Sequence, residues 1–266
     1  MRIWDKYLLV SAALVGLALG SARNASATIN GQPDGTGHPF VVAVVTDIDG
    51  VPHHLCSGSL IAPTVVLTAG HCTYQATGGR IWLDSQITDP YFPHAGGDSI
   101  EAKEIHTDPD FCLGCAPGFP GYDTHDVGIV VLSQAVTLTG YALLPSPGLV
   151  DALPMMTALT IVGYGAEDTS VGVPPHYYQN NLSRNFATSL LVQSNDPQSD
   201  EYIKITSNPA DGKGGVCAGD SGGPDLLGNI VLAVNSYIPD LLCAGVAYSN
   251  RIDTAYALAF INSFLK

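Results

Sequence analysis

Gly219-Asp220-Ser221-Gly222-Gly223-Pro224 is the stretch from which the rest of the chain is read most directly. A serine between glycines sits in a turn whose backbone N–H groups can converge on one point, since glycine tolerates the dihedral angles required. A serine hydroxyl alone is a weak nucleophile. It becomes reactive beside an imidazole that takes its proton, and a buried acceptor must hold that imidazole in one tautomer. Two further stretches supply those residue types. Leu67-Thr68-Ala69-Gly70-His71-Cys72 places a histidine after an apolar run, and His125-Asp126-Val127-Gly128-Ile129-Val130-Val131-Leu132 places an aspartate before one. Spacing alone does not bring His71, Asp126 and Ser221 together. Each also has a plain structural reading, as a core histidine, a strand-edge cap and a turn residue.

The flanking sequence has the composition of a turn-rich β protein. Of 266 residues, 46% are hydrophobic and 13% charged, which excludes a disordered, highly charged chain and suits one large β domain or two small barrels. The 29 glycines and 18 prolines favour many turns and short strands. Short runs rich in Val, Ile and Thr at 40–45, 59–67, 127–132, 157–162, 202–205 and 230–234 read as strands of an antiparallel barrel or sandwich. Only 254–266 has helical spacing, with Leu258, Ile261 and Leu265 three to four apart and Asp253 as N-cap. Segments 90–97, 112–122 and 171–176 read as loops, and there is no internal repeat.

Ten Lys and Arg against 24 Asp and Glu give a net charge of −14, which repels phosphate backbones and excludes nucleic acid as a partner. Arg2 and Lys6 precede an apolar run at 8–19, too short to span a bilayer, and Ala25-Ser26-Ala27 supplies small residues before a cut. Residues 1–27 therefore read as a signal peptide and the protein as secreted. An alternative cut after Gly20 leaves a short propeptide up to Thr28. No later stretch approaches the ~18 apolar residues of a span, so no membrane partner is expected. Cleavage after Ala27 leaves 7 basic and 23 acidic residues, a net −16. In an exported chain Cys56, Cys72, Cys112, Cys115, Cys217 and Cys243 form an even set for disulfides, with 15 pairings open.

Taken together, the motifs make the chain resemble the trypsin/chymotrypsin-type serine endopeptidases from about Ile29 to Lys266. Thr-Ala-Gly-His-Cys and Gly-Asp-Ser-Gly-Gly-Pro carry the resemblance; Asp-Val-Gly-Ile-Val-Val-Leu is looser, but lies 55 residues after His71 and 95 before Ser221. The order His, Asp, Ser is that of chymotrypsin rather than subtilisin or the α/β-hydrolases. The resemblance implies an all-β fold of two six-stranded antiparallel β-barrels, with the active site between them and a C-terminal helix. It implies a first barrel over 29–145 carrying His71 and Asp126, and a second over 146–266 carrying Ser221. By position, Ser221 is the nucleophile, His71 the general base and acid, and Asp126 its orienting partner. The N–H groups of Gly219 and Ser221 form the oxyanion hole. Ser236-Tyr237-Ile238 matches the segment that pairs with substrate backbone, and Val162-Gly163-Tyr164-Gly165 a family strand ending in Gly-Trp-Gly. Cys56–Cys72 and Cys217–Cys243 match two family disulfides. Cys112-x-x-Cys115, with no second pair to complete a zinc site, reads as a small loop disulfide. The implied partners are protein or peptide substrates and a proteinaceous inhibitor, with a monomeric enzyme and no cofactor or metal.

The sequence departs from the family pattern in several places. Members commonly start Ile-Val-Gly-Gly after activation, the new ammonium pairing with the aspartate before the nucleophile. Here Ile29-Asn30-Gly31-Gln32 takes that place, 42 residues before His71, with Asp220 as partner, so the mature chain is expected to begin at Ile29. A cut after Ala27 leaves Thr28 in front, one residue too many. The residue at the pocket base, six before the nucleophile, is Gly215 rather than an aspartate, which argues against Arg or Lys at P1. Ile238 replaces a glycine of the pocket wall, and Val216 or Val246 narrows it, pointing to small or medium aliphatic P1 residues. Asn235 stands where an apolar residue is common. The acidic residues between Asp84 and Asp110 read as solvated carboxylates rather than calcium ligands, and Asn181-Leu182-Ser183 is a sequon. The alternative function is a catalytically inactive homologue acting as a secreted binding or adhesion module.

Overall fold

The computed structural model describes residues 28, 30–115, 123–166, 168–170, 177–179, 182–194, 200–207, 214–240 and 242–265. The segment expected to be a signal peptide, Ile29, and the loop segments at 116–122 and 171–176 lie outside the described residues. After a two-residue strand, β1 (Gln32–Pro33), come β2 (Val41–Ile48), β3 (Val51–Ala62), β4 (Val65–Thr68), β5 (Gly78–Trp82), β6 (Ile100–Thr107) and β7 (Gly128–Leu132). A single helical turn, α1 (Gly70–Thr73), lies between β4 and β5. Strands β2 to β7 form a closed antiparallel barrel in the order β2-β3-β4-β7-β6-β5, with β5 returning to β2. Their Val- and Ile-rich runs form strands because β-branched side chains pack well on a pleated surface. Val42, Val44, Leu60, Val66, Ile81, Trp82 and Ile129 are fully or almost fully buried within one core cluster.

The second barrel comprises β8 (Ala158–Gly163), β11 (Asn185–Gln193), β12 (Tyr202–Ser207), β13 (Pro224–Leu227), β14 (Ile230–Tyr237) and β15 (Gly245–Arg251). Its order is β11-β12-β15-β14-β13-β8, and β8 closes it by pairing with β11. A small hairpin of β9 (Asp168–Ser170) and β10 (Tyr177–Gln179) follows β8. Helix α2 (Ala255–Asn262) packs Ala257 and Ile261 onto the same cluster as the first barrel. The fold is therefore all-β, two closed six-stranded antiparallel barrels with a C-terminal helix, as the sequence leads one to expect.

Two local expectations are corrected. The apolar run at 59–67 is not one strand: it divides into β3 and β4 at a turn over Pro63 and Thr64, since proline presets the turn dihedral and has no N–H to pair. The N-cap of α2 is Thr254, whose side chain accepts from Ala257 N, and not Asp253. Asp253 is buried and instead accepts from Arg251 Nε at 2.9 Å and from Val150 N at 2.8 Å.

A buried cation joins the two halves. β1 pairs with β11, and Arg184 beside that junction donates from Nε to Asp34 Oδ2 at 2.8 Å. Its Nη1 donates to the carbonyls of Val41 and Leu83, and its Nη2 to that of Gly35. Burial pushes the Asp34 carboxyl up, but hydrogen bonds from His38 and Arg184 outweigh it and hold the pKa below the usual value.

Candidate active site

His71 lies in α1, at the end of β4, and Asp126 in the loop that enters β7. The structure brings them together: His71 Nδ1 lies 2.9 Å from Asp126 Oδ2 and 3.2 Å from Oδ1, and the His71 backbone N–H donates to Oδ1 at 2.7 Å. Asp126 is fully buried, whereas the His71 side chain keeps 20% exposure. The second barrel completes the aspartate's shell. Ser236 Oγ donates to Asp126 Oδ2 at 2.5 Å, and Asp126 N donates to Asn250 Oδ1 at 3.1 Å. Burial pulls the His71 pKa down, but the Asp126 charge and hydrogen bonds raise it above the ordinary histidine value. Burial pushes Asp126 up, and the charge of His71 with the bonds from His71 and Ser236 brings it below the ordinary carboxylate value.

Ser221 belongs to the turn leading into β13, and its approach to the first barrel depends on Gly222. At φ +75° a Cβ on Gly222 would lie 2.0 Å from Thr68 Oγ1 and 2.7 Å from Ala69 N, so only glycine lets the turn dock on the segment carrying His71. Ser57 N donates to Ser221 O at 2.8 Å, and neighbouring Cys56 is disulfide-bonded to Cys72, beside His71. Within the turn, Cys217 N donates to Asp220 Oδ2, Asp220 N to Cys217 O, Gly222 N to Asn235 O and Gly223 N to Asp220 O. The N–H groups of Gly219 and Ser221 donate to no protein group among the described residues. Nor, among them, does a hydrogen bond join the Ser221 hydroxyl to the His71 ring. Such loose contacts are common in sites without substrate.

A cavity of about 100 Å³ opens beside Ser221. Val216, Ile238 and the Cys217–Cys243 disulfide form its apolar walls, and Ala218, Asn235, Ser236 and Tyr237 complete the lining. Gly215, expected at the pocket base, is not among the lining residues. A Cβ there would lie 1.9 Å from Ser207 Oγ, so it packs directly on β12. Val246 also stands outside the lining, whereas Ala218 enters it without having been foreseen. Cys112 and Cys115 are disulfide-bonded to each other.

Asp220 is buried at 1% exposure, where it accepts from Cys217 N and Gly165 N at 2.9 Å and from Thr28 Oγ1 at 3.3 Å. Burial pushes its pKa up to about 7, only partly offset by those donors. Thr28, not foreseen as a site residue, is itself 1% exposed. The hydroxyl of Ser57 and the amide of Asn250 are not legible in the sequence as site groups, nor is the bond of Ser236, expected only to line the substrate, to Asp126, because each acts on a residue more than 100 positions away.

Two antiparallel barrels flanking such a site are the architecture of the chymotrypsin-type serine proteases. The Trypsin family model matches residues 29–257, and the chain belongs to that family. It is 30% identical over 196 residues to Chymotrypsin-like elastase family member 3A of Homo sapiens, spanning 68% of this chain and 66% of that protein, just under two thirds of its length. It is also 30% identical over 213 residues to a trypsin of Saccharopolyspora erythraea, spanning 75% of this chain and 81% of that one. The solved structure of HL collagenase shares the fold, with a TM-score of 0.70 at 21% identity over 90% of this chain and 99% of that one.

Proposed function

We propose that the protein is a secreted serine endopeptidase that hydrolyses peptide bonds through an acyl-enzyme. The observation that carries this reading is the buried Asp126 bonded to His71 Nδ1, together with a serine turn in which the Gly219 and Ser221 N–H groups have no acceptor among the described residues. With Nδ1–H engaged by Asp126, His71 Nε2 is left to accept the Ser221 proton as Oγ attacks the scissile carbonyl. The N–H groups of Gly219 and Ser221 stabilise the oxyanion, His71 returns the proton to the leaving amine, and water then cleaves the acyl-enzyme by the same route. Substrate backbone adds as a strand along Ser236-Tyr237-Ile238. The signal-like segment at 1–27 and three disulfides support secretion.

The size of the cavity, its walls of Val216 and Ile238, and the lack of a carboxylate among the described lining residues support a small or medium aliphatic P1 residue over Arg or Lys. For maturation, the α-ammonium freed at Ile29 neutralises the buried Asp220. Thr28 beside Asp220 makes a start at Thr28 the competing outcome.

Fluorophosphonate labelling of the purified secreted protein tests the reading, with Ser221→Ala as control and mass spectrometry to locate the label and read the N-terminus. Label at Ser221 on a chain that turns over peptide substrate supports it. An unlabelled, correctly folded chain favours the second reading, a silent binding module.

A further inference from the structure

We propose that Ser57, a residue of the first barrel, positions the oxyanion hole of the second; the inference rests on the serine endopeptidase reading above. Ser57 is fully buried, and its hydroxyl meets two backbone groups. Tyr164 N donates to Ser57 Oγ at 2.9 Å, and Ser57 Oγ donates to Gly219 O at 2.9 Å. A hydroxyl has one proton, and with Tyr164 supplying a hydrogen to its oxygen, that proton is directed to Gly219 O. Ser57 is itself held in place, since its carbonyl accepts from Thr68 Oγ1 at 2.8 Å. The same residue also holds the nucleophile's carbonyl, through Ser57 N to Ser221 O at 2.8 Å.

The direction of the two hole-forming N–H groups follows from how the neighbouring carbonyls are anchored, because a trans peptide points its N–H opposite its C=O. Ala218 O accepts from Ala166 N at 2.8 Å, which turns Gly219 N–H away from Ala166. Asp220 O accepts from Gly223 N at 2.9 Å and from Asn235 Nδ2 at 3.2 Å, which turns Ser221 N–H away from both. Between these peptides lies the one joining Gly219 to Asp220. Gly219, at φ +97°, has no side chain to resist its rotation. The Ser57 hydroxyl is the side-chain anchor on that carbonyl. Without it, that peptide keeps only the bond from Asp220 N to Cys217 O at 3.0 Å, the Gly219 backbone between the two hole-forming N–H groups is less constrained, and oxyanion stabilisation is weakened while substrate contacts along Ser236-Tyr237-Ile238 persist.

The test compares wild type with Ser57→Ala, using an aliphatic peptide p-nitroanilide and a peptide aldehyde whose hemiacetal oxygen occupies the hole. The expected result is a fall in kcat of about 10–100-fold, KM unchanged within about twofold, and aldehyde affinity reduced by the same factor as kcat. A merely structural role would lower the melting temperature or the active fraction, measured by active-site titration, and leave the aldehyde affinity of the remaining sites intact. A folded Ser57→Ala protein that keeps its kcat, or loses kcat without aldehyde affinity, overturns the proposal. Ser57→Gly removes the same hydroxyl without adding an atom and is judged by the same criteria where the alanine variant does not fold. Wild type that neither labels at Ser221 nor turns over substrate sinks the endopeptidase reading itself. Labelled wild type with an unaffected variant sinks only the role of Ser57.

Discussion

Burial and charge act on His71 in opposite directions, and the Asp126 charge prevails, so the imidazole keeps its proton to a higher pH than a free histidine. Only the neutral ring can accept the Ser221 proton, so kcat/KM is expected to fall as pH drops through that raised pKa. Asp126→Asn removes the charge that raises it: the apparent pKa moves down and kcat falls about 10⁴-fold, which pH–rate profiles of the two proteins check. Ser236→Ala removes the 2.5 Å donor to Asp126 and is expected to lower kcat/KM about tenfold. A KM-only effect would mean that Ser236 acts only on substrate. His71, Asp126 and Ser221 stand out in the sequence because each sits in a local motif. The second duty of Ser236 does not, because its segment reads as the one that pairs with substrate backbone and its partner is 110 residues away.

Arg184 shows what one side chain contributes to an element junction, between β11 and the segment leading into β2. Arg184→Ala would leave Asp34 buried with one ionic partner fewer, and a loss of about 3–5 kcal/mol in urea unfolding is expected. At the pocket, Ile238→Gly opens one wall of the cavity and is expected to shift the preference from Ala and Val toward Leu and Phe in a p-nitroanilide series. An unchanged order would show that another residue limits the pocket. Strands β2, β3, β4, β7, β8, β12 and β14 were legible from their Val-, Ile- and Thr-rich runs, whereas β5, β6, β11, β13 and β15 of the barrels were not. The division of 59–67 and the Thr254 cap were not, because they depend on how a turn and a buried Arg251–Asp253 pair are placed in three dimensions.

Stability of the whole molecule carries the imprint of Asp225, which pairs with Ile161 and Ala233 across the apolar second barrel. It is fully buried and neither oxygen has a hydrogen-bond partner among the described residues, while nearby Ser249 offsets little of the burial that raises its pKa to about 7. The folded chain therefore holds a proton that the unfolded chain releases near the ordinary carboxylate value. The contribution of Asp225 to stability is expected to be greatest below that value, to fall as pH rises to about 7, and to level off above it, while Asp34 and Asp126, held below the ordinary value, contribute in the opposite sense. Asp225→Asn should flatten this slope and exceed the parent's melting temperature at pH 8, with Asp220 leaving a residual slope of the same sign in the unprocessed chain. Equal melting temperatures at pH 8 would contradict it.

By itself the sequence determined the all-β class, the family, and the three residues on which the proposed chemistry turns, since glycine-flanked serine, histidine and aspartate motifs are short and local. Only the tertiary structure decided which groups stand behind them. The distance from Ser57 to Gly219 is 162 residues along the chain, and from Asn250 to Asp126 it is 124. Contacts of that range are made by two separately closed barrels meeting face to face, and they leave no periodicity or spacing in the sequence from which they could be read.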